Sequence, residues 1–179
     1  VPVGYIVKRL QDAGIRAAGL EISKHCMVTR VADAIVEWDI CQTPWPFPDQ
    51  SFDVCFSIAV LEHIPEQFLP AVIGEIKRIC RRGLHGIDFG EKDDGFDKTH
   101  CTLRNQSWWK ERMPEQIVVD KEDLETGSRL PLALPEPDGQ LKLNVGCYTT
   151  MFHYGWINMD VIDLNDFATR NFYKFVQEI

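Results

Sequence analysis

The chain has 179 residues and lacks several features that would place it in a class directly. No run approaches the roughly 20 apolar residues that a membrane span needs, so no membrane crossing is expected. The amino terminus, VPVGYIVKRL, has no basic-then-apolar layout, and no secretion signal is expected from it. Positive charge is scarce: 19 Lys and Arg stand against 27 Asp and Glu, a net charge of −8. That balance argues against non-specific nucleic-acid binding, which rests on neutralising phosphates. Six cysteines are present (Cys26, Cys41, Cys55, Cys80, Cys101 and Cys147), but no two fall within a C-x2–4-C interval. The sequence therefore points to no metal site. Cys55 and Cys80 sit in apolar runs, where cysteine acts as a small hydrophobe. A cytoplasmic protein with reduced thiols is expected. A full G-x-G-x-x-G is missing, and no tyrosine has a lysine four positions on.

What is present is an alternation of short apolar strands and amphipathic helices. Ile6, Val7 and Leu10 share one face of a short helix that Ala13-Gly14 closes, with glycine at the C′ position. IRAAGLEIS (15–23) reads as a buried strand ending in Glu21. Ser23 is placed to cap a second helix through Met27, Val28 and Val31. AIVEWDI (34–40) is a further strand, ending in Asp39, and SFDVCFSIAVL (51–61) another. Leu69, Val72, Ile73, Ile76, Ile79 and Cys80 repeat at helical spacing, with Pro70 tolerated in the first turn. LHGIDFG (84–90) and QIVVD (116–120) complete the strands, and a helix carries Trp108, Trp109 and Met113 between them. Such alternation predicts an α/β fold, a parallel sheet covered by helices on both faces.

The stretch PWPFPDQSFDVCFSIAVLEHIP (44–65) then poses a question, because an apolar strand ends abruptly in Glu62-His63. In open α/β sheets ligands bind outside the carboxyl ends of the strands. Glu21, Asp39 and the Glu62-His63 pair all fall at such ends, so together they are placed to line one crevice. The plainer alternative is that polar residues simply follow strands into loops. His25-Cys26 and His100-Cys101 could serve as ligands or as a nucleophile with its base, but adjacency in sequence does not make adjacency in space.

WDICQTPWPFPDQSFDVCFSIAVLEHIPEQFLPAVIGEIKRIC, with GYIVKRLQDAGIRAAGLEIS before it, resembles class I S-adenosylmethionine-dependent methyltransferases of the type 11-like kind, over about residues 4–113. The resemblance implies a Rossmann-like parallel sheet, S-adenosyl-L-methionine as cofactor and methyl transfer to an acceptor. It matches Gly4 to the last glycine of the family's first loop, and Glu21, with Ile22 beside it, to the acid that holds the ribose hydroxyls. Asp39 and Ile40 match the residues that meet the adenine, and the stretch of Ser57 and Ala59 passes beside the methionine part. His63 and His100 are candidates for a catalytic base if the acceptor must lose a proton, and each also reads as a structural histidine.

The resemblance breaks at the start, where the family's first strand and leading glycines should precede Gly4. The tail offers two explanations. LKLNVGCYTTMFHYGWINMDVIDL (141–164) is itself similar to the opening of a methyltransferase domain. Residues 1–129 are thus expected to form a methyltransferase-like domain lacking its first strand, and 130–140 a proline-rich linker. Residues 141–179 either begin a second such unit or supply the strand that completes the first sheet, with Gly146 then near the cofactor. In the latter case the fold is permuted at the first strand, and the strand comes from the same chain or from a second copy in a homo-oligomer. The acceptor, small molecule or macromolecule, is not written in the sequence. Two rivals remain open at this point: a nicotinamide dinucleotide oxidoreductase, since an acid after the second strand also suits that ribose, and a non-catalytic module that keeps the fold for binding or assembly.

Overall fold

The structure is a computed structural model and describes residues 4–12, 14–90, 97–126 and 142–146. The expected linker at 130–140 and residues 147–179 of the expected C-terminal segment lie outside the described residues.

Helix α1 (Tyr5–Asp12) ends as its glycine demands. Gly14 has φ +84; its N–H donates to the Gln11 carbonyl and that of Ile15 to the Leu10 carbonyl, the paired bonds of a Schellman ending. Strand β1 (Arg16–Glu21) follows at once. Helix α2 (Lys24–Val28) opens on Ser23, whose hydroxyl accepts from the Cys26 N–H. It is shorter than the apolar spacing suggested. Val28 is 85% exposed, Thr29 closes the turn onto the Cys26 carbonyl, and Cys26 is the residue that reaches the core.

Strand β2 (Ile35–Glu37) is also shorter than its run of apolar letters, so Asp39 lies in the turn beyond it. Strand β3 (Phe52–Ile58) leads through a 3-10 turn at Leu61–His63 to helix α3 (Leu69–Ile79), with Pro70 in its first turn. Strand β4 (Cys80–Ile87) begins four residues earlier than expected. Cys80 caps α3 in an extended conformation, so the helix passes into the strand without a loop. Helix α4 (Gln106–Arg112), capped by the Asn105 side chain, precedes strand β5 (Ile117–Asp120) and helix α5 (Lys121–Thr126). Strand β6 is Lys142–Gly146.

The six strands form one sheet in the order β2-β1-β6-β3-β4-β5, and every pairing is parallel. β6, the last of the described strands in chain order, is thus a central strand. Its register sets Arg16 to Leu20 against Lys142 to Gly146 on one side, and Val54 to Ser57 against Leu143 to Gly146 on the other. This is the α/β, Rossmann-like sheet the alternation implied, permuted at its first strand. Central parallel strands hide both faces and must be apolar on both. Accordingly Val54 and Phe56 pack with α1 and α2, while Cys55 packs with α3 and α4. Cys26, Cys41, Cys55, Cys80 and Cys101 are free thiols. Among the described residues no helix is long and apolar enough to cross a membrane.

Candidate functional site

The register assembles a row across the carboxyl edge of the sheet. Leu20 stands beside Gly146, Gly146 beside Ser57 and Ser57 beside His85. Glu21, one residue beyond Leu20, ends β1 with 1% exposure, and its Oε1 accepts from the Ser23 N–H at 2.7 Å. Burying a carboxylate is costly unless it is hydrogen-bonded, so this is a chemically committed position. Gly4 caps the start of α1 with φ +88, and an added Cβ would come within 3.1 Å of Ile35. Both the backbone conformation and the space therefore call for glycine there. Ile22 is 48% exposed beside Glu21.

Asp39 and Ile40 belong to a loop folded on itself. The Asp39 Oδ1 accepts from the Cys41 N–H at 2.9 Å, and the Ile40 carbonyl accepts from the Trp45 indole N–H at 2.8 Å. Arg78 of α3 clamps the next part of that loop: its guanidinium donates to the carbonyls of Phe47 and Trp45 and to the carboxylates of Asp49 and Glu75. In the sequence Glu75 and Arg78 lie off the apolar stripe of α3. Their i, i+3 spacing was visible, but nothing in it announced a loop 30 residues upstream as the target.

Ser57 is buried, and its hydroxyl is engaged with His85 Nδ1 at 2.7 Å, so its side chain turns into the sheet rather than toward the crevice. His85 is fully buried, which lowers its pKa to about 4. Ala59 takes the left-handed conformation, φ 50, while its N–H donates to the Gly86 carbonyl. β3 is thus tied to β4 just where it leaves the sheet.

Glu62, His63 and His100 come together at this same edge, although the sequence pointed to no metal site and His100 lies on a separate loop. One donor atom from each lies within 4.8 Å of the other two; the two imidazole rings are 4.7 Å apart, edge to face. Glu62 is 0% exposed. Burial raises its pKa to about 7, against opposing hydrogen bonds and the charges of His100 and Lys121. Burial, aided by His100, lowers that of His63 to about 4. A general base works best with a pKa near the operating pH, so His63 in this setting is a weak one. Thr99 and Asp97, which hold His63 and flank His100, were not singled out from the sequence. Only their nearness to His100 along the chain could have found them.

The parallel sheet, the acid ending β1 and Gly146 beside it at the carboxyl edge are similar to what the class I S-adenosylmethionine-dependent methyltransferase resemblance implies. Residues 2–85 match the family model described as a methyltransferase domain. That match takes in α1 to β3, α3 and most of β4. No match was found among curated proteins or solved structures.

Proposed function

We propose that the crevice at the carboxyl edge holds S-adenosyl-L-methionine and serves methyl transfer to an acceptor. The observation that carries this reading is the buried Glu21 carboxylate ending β1, one position past the Leu20–Gly146 pairing. The residues present fit such a ligand: a carboxylate accepts two hydroxyl hydrogen bonds at once, and charge-assisted bonds are the stronger kind. Glycine at position 146 leaves the backbone between β1 and β3 open to close approach. Glu21 would hold the ribose hydroxyls, with Ile22 against the sugar. Asp39 and Ile40 would meet the adenine, Gly4 and Gly146 the backbone-lined loop, and the chain from Ser57 to Ala59 the methionine part, through its backbone rather than the Ser57 hydroxyl.

When bound, the cofactor supplies an electrophilic methyl on a sulfonium, open to in-line displacement. The chain's own part is then positioning and exclusion of water, which can supply much of the rate. Arg78 serves this indirectly by fixing the loop that carries Trp45 and Phe47 against α3. On the same reading residues 1–129 and the strand at 142–146 make one unit, and the acceptor enters over the edge of β3 to β5.

Titration calorimetry with S-adenosylhomocysteine and with NAD tests the proposal. S-adenosylhomocysteine should bind and NAD should not. Glu21→Ala should weaken binding by about 1.5–3 kcal/mol, the range for hydrogen bonds to a charged group. Unchanged affinity in a folded variant would remove Glu21 from the site, and binding of NAD alone would replace the proposal with an oxidoreductase.

A further inference from the structure

We propose that Glu62, His63 and His100 form a binding site for a divalent first-row transition-metal ion of the zinc type. One carboxylate oxygen and one nitrogen from each imidazole already lie within 4.8 Å of one another. Donors holding zinc tetrahedrally are about 3.4 Å apart, so each pair needs to close by no more than about 1.4 Å.

A second observation points to a ligand independently. Glu62 is fully buried, its Oε1 accepts from the Asp88 N–H at 2.9 Å, and its Oε2 has no hydrogen-bond partner. A buried polar atom left unsatisfied is costly. A carboxylate fixed through one oxygen, with the other unused, is arranged as a monodentate ligand.

The surroundings prepare the histidines as well. The N–H and the hydroxyl of Thr99 both donate to Asp97 Oδ1, at 2.8 and 2.6 Å. The hydroxyl proton is thereby committed, so the Thr99 oxygen accepts from His63 Nδ1–H at 2.9 Å. This chain assigns the tautomer and leaves the lone pair of the neutral ring on Nε2, the form in which imidazole binds metal. Metal-binding histidines commonly have the other ring nitrogen held in this way. Asp97 Oδ2 also lies 3.6 Å from His100 Nε2. Finally, the Glu62 carbonyl accepts from the N–H groups of Cys101 and Thr102 at 2.8 and 2.9 Å. The segment that carries His100 is therefore stapled to the turn that carries Glu62 and His63.

Two imidazoles with one carboxylate suit zinc, iron or cobalt; magnesium prefers an all-oxygen shell. Three protein ligands leave a coordination position open. The site does not depend on the methyl-transfer reading, and the experiment needs no substrate. The full chain, stripped with a chelator, is titrated with Co²⁺ and followed by its visible absorption. One Co²⁺ per chain should bind, with the spectrum of a four- or five-coordinate nitrogen and oxygen site, displaced by Zn²⁺ and not by millimolar Mg²⁺. His100→Ala and Glu62→Gln should each weaken binding at least tenfold, and Thr99→Val by about tenfold through the orientation of His63. Absence of stoichiometric binding overturns the proposal. So does a thiolate charge-transfer band, which would put the ion on cysteine, or undiminished affinity in folded His100→Ala. If Glu62→Gln does not fold, His100→Ala decides the matter alone.

Discussion

The two faces of the sheet are built in different ways. Under α3 and α4 the described core is large and aromatic: Trp45, Phe52, Phe89, Trp109 and Met113 pack with the aliphatic stripe of α3. Under α1 and α2 it relies on small residues, Ala17, Cys26 and Ala32, with Val7 and Leu10 as its helical anchors. An open cleft of about 430 Å³ borders that second face at the amino ends of β1 and β3, between Gln11, Ile15, Ala17 and Phe52. It lies at the opposite end of the strands from Glu21 and His63. The wing made of β2, β1, α1 and α2 is joined to β3 through β6, a strand from far along the sequence. Within the sheet, β1 and β3 are each paired to that distant strand rather than to one another.

Removing β6 is the harshest way to break that comparison. Truncation after Asp138 takes away the strand that pairs with β1 at five register positions and with β3 at four. At about 0.5–1.5 kcal/mol net per hydrogen bond, the loss rivals the 5–15 kcal/mol or so that holds a typical domain folded. The urea midpoint should collapse. In hydrogen exchange, protection should vanish from α1 and β1 first and persist longest in α3. A truncated chain with β1 still fully protected would show that the wing stands without β6. A midpoint of the full chain that depends on protein concentration would show that a second copy supplies the strand.

Within the intact chain, single large-to-small changes should rank the faces. Trp109 is 0% exposed, and Trp109→Ala should cost about 3–5 kcal/mol because the packed aromatic face cannot collapse into the void. Leu10, at 1% exposure, sits on the face beside the open cleft. Leu10→Ala should fall near the low end of the 2–5 kcal/mol or so seen for such changes, since a short helix next to free space can shift to fill it. Equal costs in chemical denaturation would mean that the faces are equally rigid.

The same division explains what was legible in the sequence. The α3 stripe and the β3 run were plain because their determinants are local: helical spacing, Pro70 in the first turn, β-branched and aromatic letters. The ends of β2 and α2 were overread. Trp38 gives the ladder a last backbone bond to the Glu21 carbonyl, but its indole donates to the Gln42 carbonyl and Ile40 serves the loop beneath Trp45, and Val28 and Val31 are apolar without being buried. A short apolar run does not say whether it packs or merely turns. The partnership of His63 with His100 was invisible for another reason. It depends on the Glu62 carbonyl gathering the N–H groups of Cys101 and Thr102, and no periodicity records such a contact. The insertion of KLNVG between β1 and β3 could be argued from unpaired backbone groups, but not its exact neighbours.

Acid should act mainly on the aromatic face and its edge. His63 and His85 have folded pKa values of about 4 against an ordinary 6.5. The unfolded chain takes up those protons first, so their contribution is present above pH 6.5 and is lost as pH falls toward 4. Glu62 runs the other way. Its folded pKa of about 7 exceeds the ordinary 4.5, so its contribution is complete below 4.5 and is lost as pH rises to 7. Two protons oppose one, leaving a net rise of at most about 1.4 kcal/mol per pH unit between 4.5 and 6.5. Stability should therefore peak near pH 6.5. Glu62→Gln should steepen the rise and flatten the profile above it. Urea midpoints across pH would contradict this by falling steadily from pH 4.5 to 6.5.

The smallest effect expected is at the surface of the well-packed face. Arg104 Nη2 lies 2.6 Å from Glu66 Oε2, with the two side chains 47% and 46% exposed. The pair joins the loop before α4 to the approach of α3, and Arg104 also lies 5.5 Å over the Trp108 ring. The pair has the shape of a brace. Exposed pairs of this kind gain little, because water and salt screen the charges and two long side chains must be held still. Glu66→Gln should therefore shift stability by about 0.2–1 kcal/mol and by less at high salt. If burial rather than charge holds this face, that small cost and the large one at Trp109 must be found together. A Glu66→Gln penalty comparable to that of Trp109→Ala would mean that the loop before α4 is pinned from outside, and that the aromatic core beneath it depends on that clasp.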